Sequence, residues 1–167
     1  MNERKTVSKW YWVWEFDKEE RWLNEMAMEG WALCGVGFCR YTFEKCEPGE
    51  YSIRLEMRKS DPEYLGFMAD IGAEYIGRVV QWIYFRKPTE DGPFEIFDLD
   101  AKIDHLGRIA KMLWLIGLGN LLIGVANTIS NGGLGVVNLL CATLLMYGLG
   151  RIEGKKEALE SEREIHE

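Results

Sequence analysis

The residues that could do chemistry in this 167-residue chain are two histidines, four cysteines and a large stock of carboxylates, and their spacing argues against most reactions. His105 precedes a long uncharged stretch and His166 sits in a charged tail, which fits interfacial and solvated roles. Cys34, Cys39 and Cys46 form no C-x-x-C, and on a strand positions 34 and 39 differ in parity, so they do not share a metal. No G-x-S-x-G, H-E-x-x-H, P-loop or dinucleotide fingerprint occurs. Gly35-Val36-Gly37 lacks a third glycine and opens no helix. The carboxylates alternate with Lys and Arg, as on a solvated surface. The expectation is a non-enzymatic protein with no catalytic residue, metal or cofactor.

The best candidate for a site is the open face of a sheet carrying Tyr11, Arg54, Arg58, Trp82, Tyr84 and Arg86. Aromatic and Arg side chains are the usual energetic centres of protein interfaces, so this face is read as a partner-binding surface. The competing reading covers it with Phe94–Phe97 or with a second copy of the chain, a homo-oligomer. An RNA-binding sheet uses similar side chains, but a net charge of −7 with both signs interspersed, and no RNP-type motif, argue against nucleic acid.

Such a face needs a small domain to present it. Lys9–Phe16 (KWYWVWEF) reads as a central first strand, with Trp10, Trp12, Trp14 and Phe16 on one face beneath the helices. Asp17, with Glu20 as capping-box partner, starts a helix at about Lys18–Glu29, and Gly30 ends it. Ala32–Phe43 reads as a second strand in which Gly35 and Gly37 mark a bulge or a close approach of another backbone, followed by a turn at Pro48-Gly49. Glu50–Lys59 alternates cleanly: Tyr51, Ile53, Leu55 and Met57 buried, Ser52, Arg54, Glu56 and Arg58 wet. Glu15 is expected near Arg54. Ser60-Asp61-Pro62-Glu63 starts a second helix that ends at Gly72, and Glu74–Lys87 is a fourth strand bent at Gly77. The order predicts a ferredoxin-like α+β domain, βαββαβ, with one antiparallel sheet in the order 4-1-3-2 and both helices on one face.

Met112–Gly150 contains no Asp, Glu, Lys or Arg. Ser130-Asn131-Gly132-Gly133 divides it into runs of roughly 18 and 17 residues, each roughly 26–27 Å long as a helix and close to the ~30 Å hydrocarbon core of a bilayer. This reads as a transmembrane helical hairpin. Lys102, Arg108 and Lys111 precede it and Arg151, Lys155 and Lys156 follow it, with no charge in the turn. The positive-inside rule therefore expects both termini in the cytoplasm, in a two-pass protein of the cell membrane. Lys155 and Lys156 suit anionic headgroups. Asn120, Asn127 and Asn138 suit hydrogen bonds across the hairpin or between protomers, with Asn138 near the depth of Asn127. No G-x-x-x-G within the run signals close glycine-mediated dimerisation. The expected organisation is 1–88 α+β cytoplasmic domain, 89–111 linker and juxtamembrane amphipathic helix, 112–150 hairpin, and 151–167 charged cytoplasmic tail. Its cysteines stay reduced in that compartment.

The stretches FDKEERWLNEMAMEGWALCGVGFCRYTFEKCEPGEYSIRLEMR and SDPEYLGFMADIGAEYIGRVVQWIYFRKP resemble the DUF2812 family, over about Trp10–Asp104. The resemblance implies a bacterial protein, mostly of Firmicutes, with membrane helices after the domain and PadR-type transcriptional regulators encoded nearby. It brings no activity, substrate or catalytic residue. Together the readings predict a membrane-anchored regulatory or interaction protein whose partners are the bilayer and a protein, with a PadR-type regulator as the implied candidate. The alternative is a small-ligand sensor or an accessory subunit of a larger membrane transport complex.

Overall fold

The computed structural model describes residues 3–59, 61–92, 94, 99–131 and 135–166, of which 131, 165 and 166 by backbone alone. The chain divides into two compact units, Met1–Ile96 and Phe97–Glu167.

The first unit is mixed α+β. Its elements are β1 (Arg4–Ser8), α1 (Phe16–Met28), β2 (Trp31–Gly37), β3 (Arg40–Lys45), β4 (Tyr51–Met57), α2 (Pro62–Asp70), β5 (Glu74–Val79) and β6 (Trp82–Pro88). They form two three-stranded antiparallel sheets, β1-β3-β2 and β4-β6-β5, in place of the expected single four-stranded ferredoxin-like sheet. The stretches 32–43 and 74–87, expected as single strands, are each hairpins that reverse at Phe38-Cys39 and Val80-Gln81. Neither turn carries the Asn-Gly or Asp-Gly that usually marks a two-residue reversal. Cys39 and Val80 adopt φ of 53° and 56° instead, which is rare for a residue with a side chain and rarer for a β-branched one.

The two sheets are copies of one βαββ plan. Adding 42 to each residue number of the first hairpin gives its counterpart in the second. The pairs Ala32↔Glu44, Leu33↔Phe43, Gly35↔Thr42, Val36↔Tyr41 and Gly37↔Arg40 become Glu74↔Arg86, Tyr75↔Phe85, Gly77↔Tyr84, Arg78↔Ile83 and Val79↔Trp82. The expected bulge is present, between Leu33 and Gly35, and recurs between Tyr75 and Gly77. The helix-ending glycines Gly30 and Gly72 both have φ of 83°, which only glycine adopts cheaply. Ser8 and Met57 face the equivalent residues Arg40 and Trp82 but are 49 apart. From the first strand to the glycine that ends the helix the first copy is therefore seven residues longer, three in the link (9–15 against 58–61) and four in α1.

The longer link is the aromatic segment expected to be the central strand. Residues 9–12 have no regular structure, and Val13–Glu15 form one 3-10 turn leading into α1. Trp14 is buried, while Trp10 and Trp12 are 55% and 41% exposed, so the three do not share a buried face. Asp17 falls inside the first turn of α1 and does not cap it; the cap position is Glu15, which makes no capping bond and binds Lys18 at 2.7 Å, while Arg54 binds Glu20. The start of α2 is as expected: the Asp61 carboxylate accepts from the N–H of Tyr64 at 2.8 Å and Pro62 opens the helix.

One core joins both copies. Leu23, Met26 and Ala27 of α1 meet Leu33, Tyr41 and Phe43 of the first sheet and Ile53, Leu55 and Tyr84 of the second. On the other side of the second sheet, Tyr64, Met68, Ile83, Phe85 and Phe94 form a separate cluster beneath α2. The equivalent edge strands β2 and β5 lie against each other without joining. The edge of β4 is occupied by α1: Asn24 accepts the Ile53 N–H at 2.9 Å and donates to its carbonyl at 2.8 Å, as a neighbouring strand would, and Glu20 accepts the Leu55 N–H at 3.1 Å.

The second unit is two long helices, α3 (Leu99–Asn131) and α4 (Val136–His166). They run antiparallel side by side, tied by Asn138 Nδ2 donating to Asn120 Oδ1 at 3.2 Å and by Arg163 to Asp100 at 2.9 Å. The segment expected to be juxtamembrane and the first apolar run are thus one continuous helix, roughly 50 Å long. Its seam residues recur at three and four: Ile103, Leu106, Ala110 and Leu113, then Gly117, Asn120 and Gly124. A cross-hairpin amide bond was expected, but Asn138 meets Asn120 and not the depth of Asn127. The reason is that Gly135, just before α4, lies beside Gly124 and Thr128. Glycine does mediate a close approach, at seven-residue spacing and between the two helices of one chain.

Candidate interaction surface

The residues expected on one open face are divided between two faces and are mostly engaged. In the antiparallel register Leu55 opposes Tyr84 and Arg54 opposes Phe85, so Tyr84 faces the shared core while Arg54 lies on the side of α2. Trp82 and Arg86 share the parity of Tyr84. Trp82 stacks on Phe16 with ring centroids 5.7 Å apart. Tyr84 donates to Glu19 at 2.7 Å. Tyr11 lies 6.0 Å from the Trp22 ring with the Lys9 ammonium over it. Arg58 stacks over Tyr64 at 3.9 Å, and Arg54 binds Glu20 at 2.9 Å and the Phe94 carbonyl at 3.3 Å. The six residues therefore do not form one surface. The cause is the position of β6, central in a sheet covered on both sides. Of the stretch expected to cover the face, Phe94 fills the cluster beneath α2, and 95–97 lie outside the described residues.

Three polar constellations hold the unit together. Glu19 is buried and accepts from Tyr41 at 2.8 Å and Tyr84 at 2.7 Å through the same oxygen. Burial raises its pKa above the usual carboxylate range, although both hydrogen bonds pull the other way. Burial beside Glu19 pushes both tyrosines up as well. Arg86 donates to Glu74 and Glu44, each at 2.7 Å, and to the Leu33 carbonyl at 3.2 Å, with Tyr51 against its guanidinium. Burial disfavours the Arg86 charge, but these carboxylates outweigh it and raise its pKa. Glu20 is likewise raised by burial, against the pull of Arg54. A cleft of about 350 Å³ adjoins that pair, lined by Asn24, Ser52, Thr89 and Phe94 among others. This is at the small end for a ligand site, and its two charged side chains are already bound to each other.

Cys34, Cys39 and Cys46 are half-buried thiols, and burial raises the pKa of Cys34 and Cys46. Among the described residues, no three His, Cys, Asp or Glu side chains gather as metal ligands. His105 is half-buried on α3, and the side chain of His166 lies outside the described residues.

Among the exposed side chains that do cluster, Trp10 and Trp12 were expected in the core. Trp10 meets Trp12 edge-on at 5.5 Å and Phe38 at 5.9 Å, and Trp12 stacks on the buried Trp14 at 5.0 Å. Phe38 sits in the β2–β3 turn and is 74% exposed. The signal in the sequence was the 42-residue repeat: once the copies are aligned, the aromatic segment falls in the link between first strand and helix and not in a strand.

A family model described as "Protein of unknown function (DUF2812)" matches residues 15–118, and the chain belongs to that family. No curated protein and no solved structure matches it.

Proposed function

We propose that this DUF2812 member is a membrane-anchored, non-enzymatic interaction protein. Its helical hairpin crosses the bilayer twice with both termini in the cytoplasm, and its duplicated βαββ head is presented there to a protein partner in regulation. The observation that carries the reading is the inverted construction of the second unit. Between residues 114 and 149 the α3 side of the seam is Gly117, Asn120 and Gly124, which receive Leu139, Leu145 and Met146 of α4 beside the buried Ala142, while Leu115, Ile116, Leu122, Ile123, Ile129, Val137 and Leu140 point outward and are exposed. In water so many large apolar side chains would be turned inward. Small residues and paired amides between helices, with Leu and Ile outside, suit a lipid solvent. Both helices are long and apolar enough to cross a bilayer. Below this zone the outside becomes charged and the seam apolar, with Ile103, Leu106, Leu113 and Ile152 buried.

The non-enzymatic part rests on the commitment of the head's buried charges to one another: Glu19 to two tyrosines, Arg86 to Glu44 and Glu74, Glu20 to Arg54. Two experiments test the reading. In a variant without the native cysteines, Ser130→Cys in intact cells should react with an impermeant maleimide and Ser161→Cys only after lysis; the opposite pattern, or extraction of the protein by alkaline carbonate, overturns the address. Full-length protein solubilised in mild detergent should retain a stoichiometric protein partner that a chain of residues 97–167 loses. Equal recovery by both removes the role assigned to the head.

A further inference from the structure

We infer that the aromatic tip formed by Trp10, Trp12 and Phe38 docks the head onto the anionic lipid surface that the hairpin spans. The inference rests on the hairpin reading above. Three observations select lipid as the occupant.

The first is the chemistry of the tip. Three touching rings stand exposed where the longer link meets the β2–β3 turn, and the pairing of Ser8 with Arg40 and of the Lys9 N–H with the Cys39 carbonyl fixes that neighbourhood. Tryptophan, with a polar N–H on an apolar ring, is the side chain of bilayer interfaces. The second is charge. No Asp or Glu occurs in 4–14 or in 31–43, the two stretches that build the tip, whereas Lys9 and Arg40 flank it, in a chain whose net charge is −7. A local basic rim on an acidic protein is complementary to anionic headgroups. The third is size. Three aromatic side chains bury at most ~450–750 Å² between them, short of the ~800 Å² per partner of a standard protein interface. They suffice for a surface held close by a tether, which raises the effective concentration of the head at the membrane. Trp10 and Trp12 lie on the link that is three residues longer in the first copy than in the second.

The test uses the full chain in nanodiscs of anionic lipid brominated at a shallow acyl position, with tryptophan quenching as the readout. Trp114, exposed on α3 within the first apolar run, reports insertion of the hairpin; Trp10 and Trp12 report docking. The expected result is that Trp114→Phe removes one part of the quenching and Trp10→Phe with Trp12→Phe removes another. Lys9→Glu with Arg40→Glu, or high salt, should abolish the second part and leave the first. If all quenching disappears with Trp114→Phe alone, docking is overturned while the hairpin stands. If Trp114 itself is not quenched, the hairpin reading fails and docking fails with it. If Trp10 and Trp12 are shielded from aqueous acrylamide without being quenched by lipid, the tip is covered by protein and the inference is wrong.

Discussion

Glu44 and Arg86 occupy the same position in the two copies of the βαββ plan, and they bind each other at 2.7 Å. A duplicated unit ordinarily presents identical residues at equivalent sites. Here one copy supplies an acid and the other a base, so the pair links the halves and distinguishes them. Arg86 is largely buried and carries Glu74 as a second partner. Arg86→Leu should therefore destabilise the head by up to roughly 3–5 kcal/mol, because Glu44, largely buried, keeps only the exposed Arg4 at 3.6 Å and the half-exposed Glu74 loses its partner. The Arg86→Ala and Glu44→Ala changes should be strongly non-additive in a double-mutant cycle, read by denaturant unfolding.

The pH dependence follows from Glu19. Its folded-state pKa lies above the unfolded value of 4.5 because burial disfavours the charge. The folded head thus binds the proton more tightly than the unfolded chain. The stability associated with the protonated form is complete below about 4.5 and is lost as pH rises through the folded pKa. Glu19→Gln keeps an oxygen for both tyrosine hydroxyls and removes the charge. The variant should be more stable than the parent at pH 7, and the difference should shrink to nothing as the pH approaches 4. Thermal melts across pH 4–8 check both the sign and the window.

The three tryptophans of the aromatic segment should behave unequally. Trp14→Ala should cost roughly 3–5 kcal/mol, the usual loss for a buried large aromatic. Trp10→Ala, at an exposed site, should change stability by less than about 0.5 kcal/mol. Comparable losses at both positions would return the segment to the core.

Gly35 and Gly77 are equivalent in the repeat but not in their surroundings. A Cβ at Gly77 would stand 2.9 Å from Val36 Cγ2, on the neighbouring edge strand, whereas one at Gly35 would meet Thr42 at an ordinary 3.6 Å. Gly77→Ala should therefore destabilise by about 1–3 kcal/mol, and Gly35→Ala should be near neutral or slightly stabilising. Denaturant midpoints of the two variants decide it.

Between the long helices, a side chain at Gly124 would come within 2.8 Å of Leu139 Cδ2 and 3.1 Å of its backbone nitrogen. Gly124→Ile should separate the helices at that level. Asn120→Leu removes the amide bond to Asn138 and should weaken their association by about 1 kcal/mol. Steric trapping in micelles measures both, and Val125→Ile, on the exposed outer surface, is the control that should have no effect.

The sequence by itself determined what solvent chemistry and local backbone preference can encode. These are the uncharged run of 112–150, the presence of pairing amides within it, the Asp61-Pro62 helix start, the turns at Gly30 and Gly72, the irregularity at Gly35 and the burial of Ile53, Leu55 and Met57, though not that of Glu56 between them. Each depends on residues within a few positions of one another or on bulk hydrophobicity. The tertiary structure alone decided the sheet arrangement and the fate of the candidate face. Two hairpins reverse through Cys39 and Val80, residues with no intrinsic preference for a positive φ, so that conformation is imposed by strand pairing and packing around the turn. With each long strand folded in two, β6 becomes central, Tyr84 and Arg86 turn inward, and the aromatic segment that looked like core is left as a link, with Trp10 and Trp12 outside.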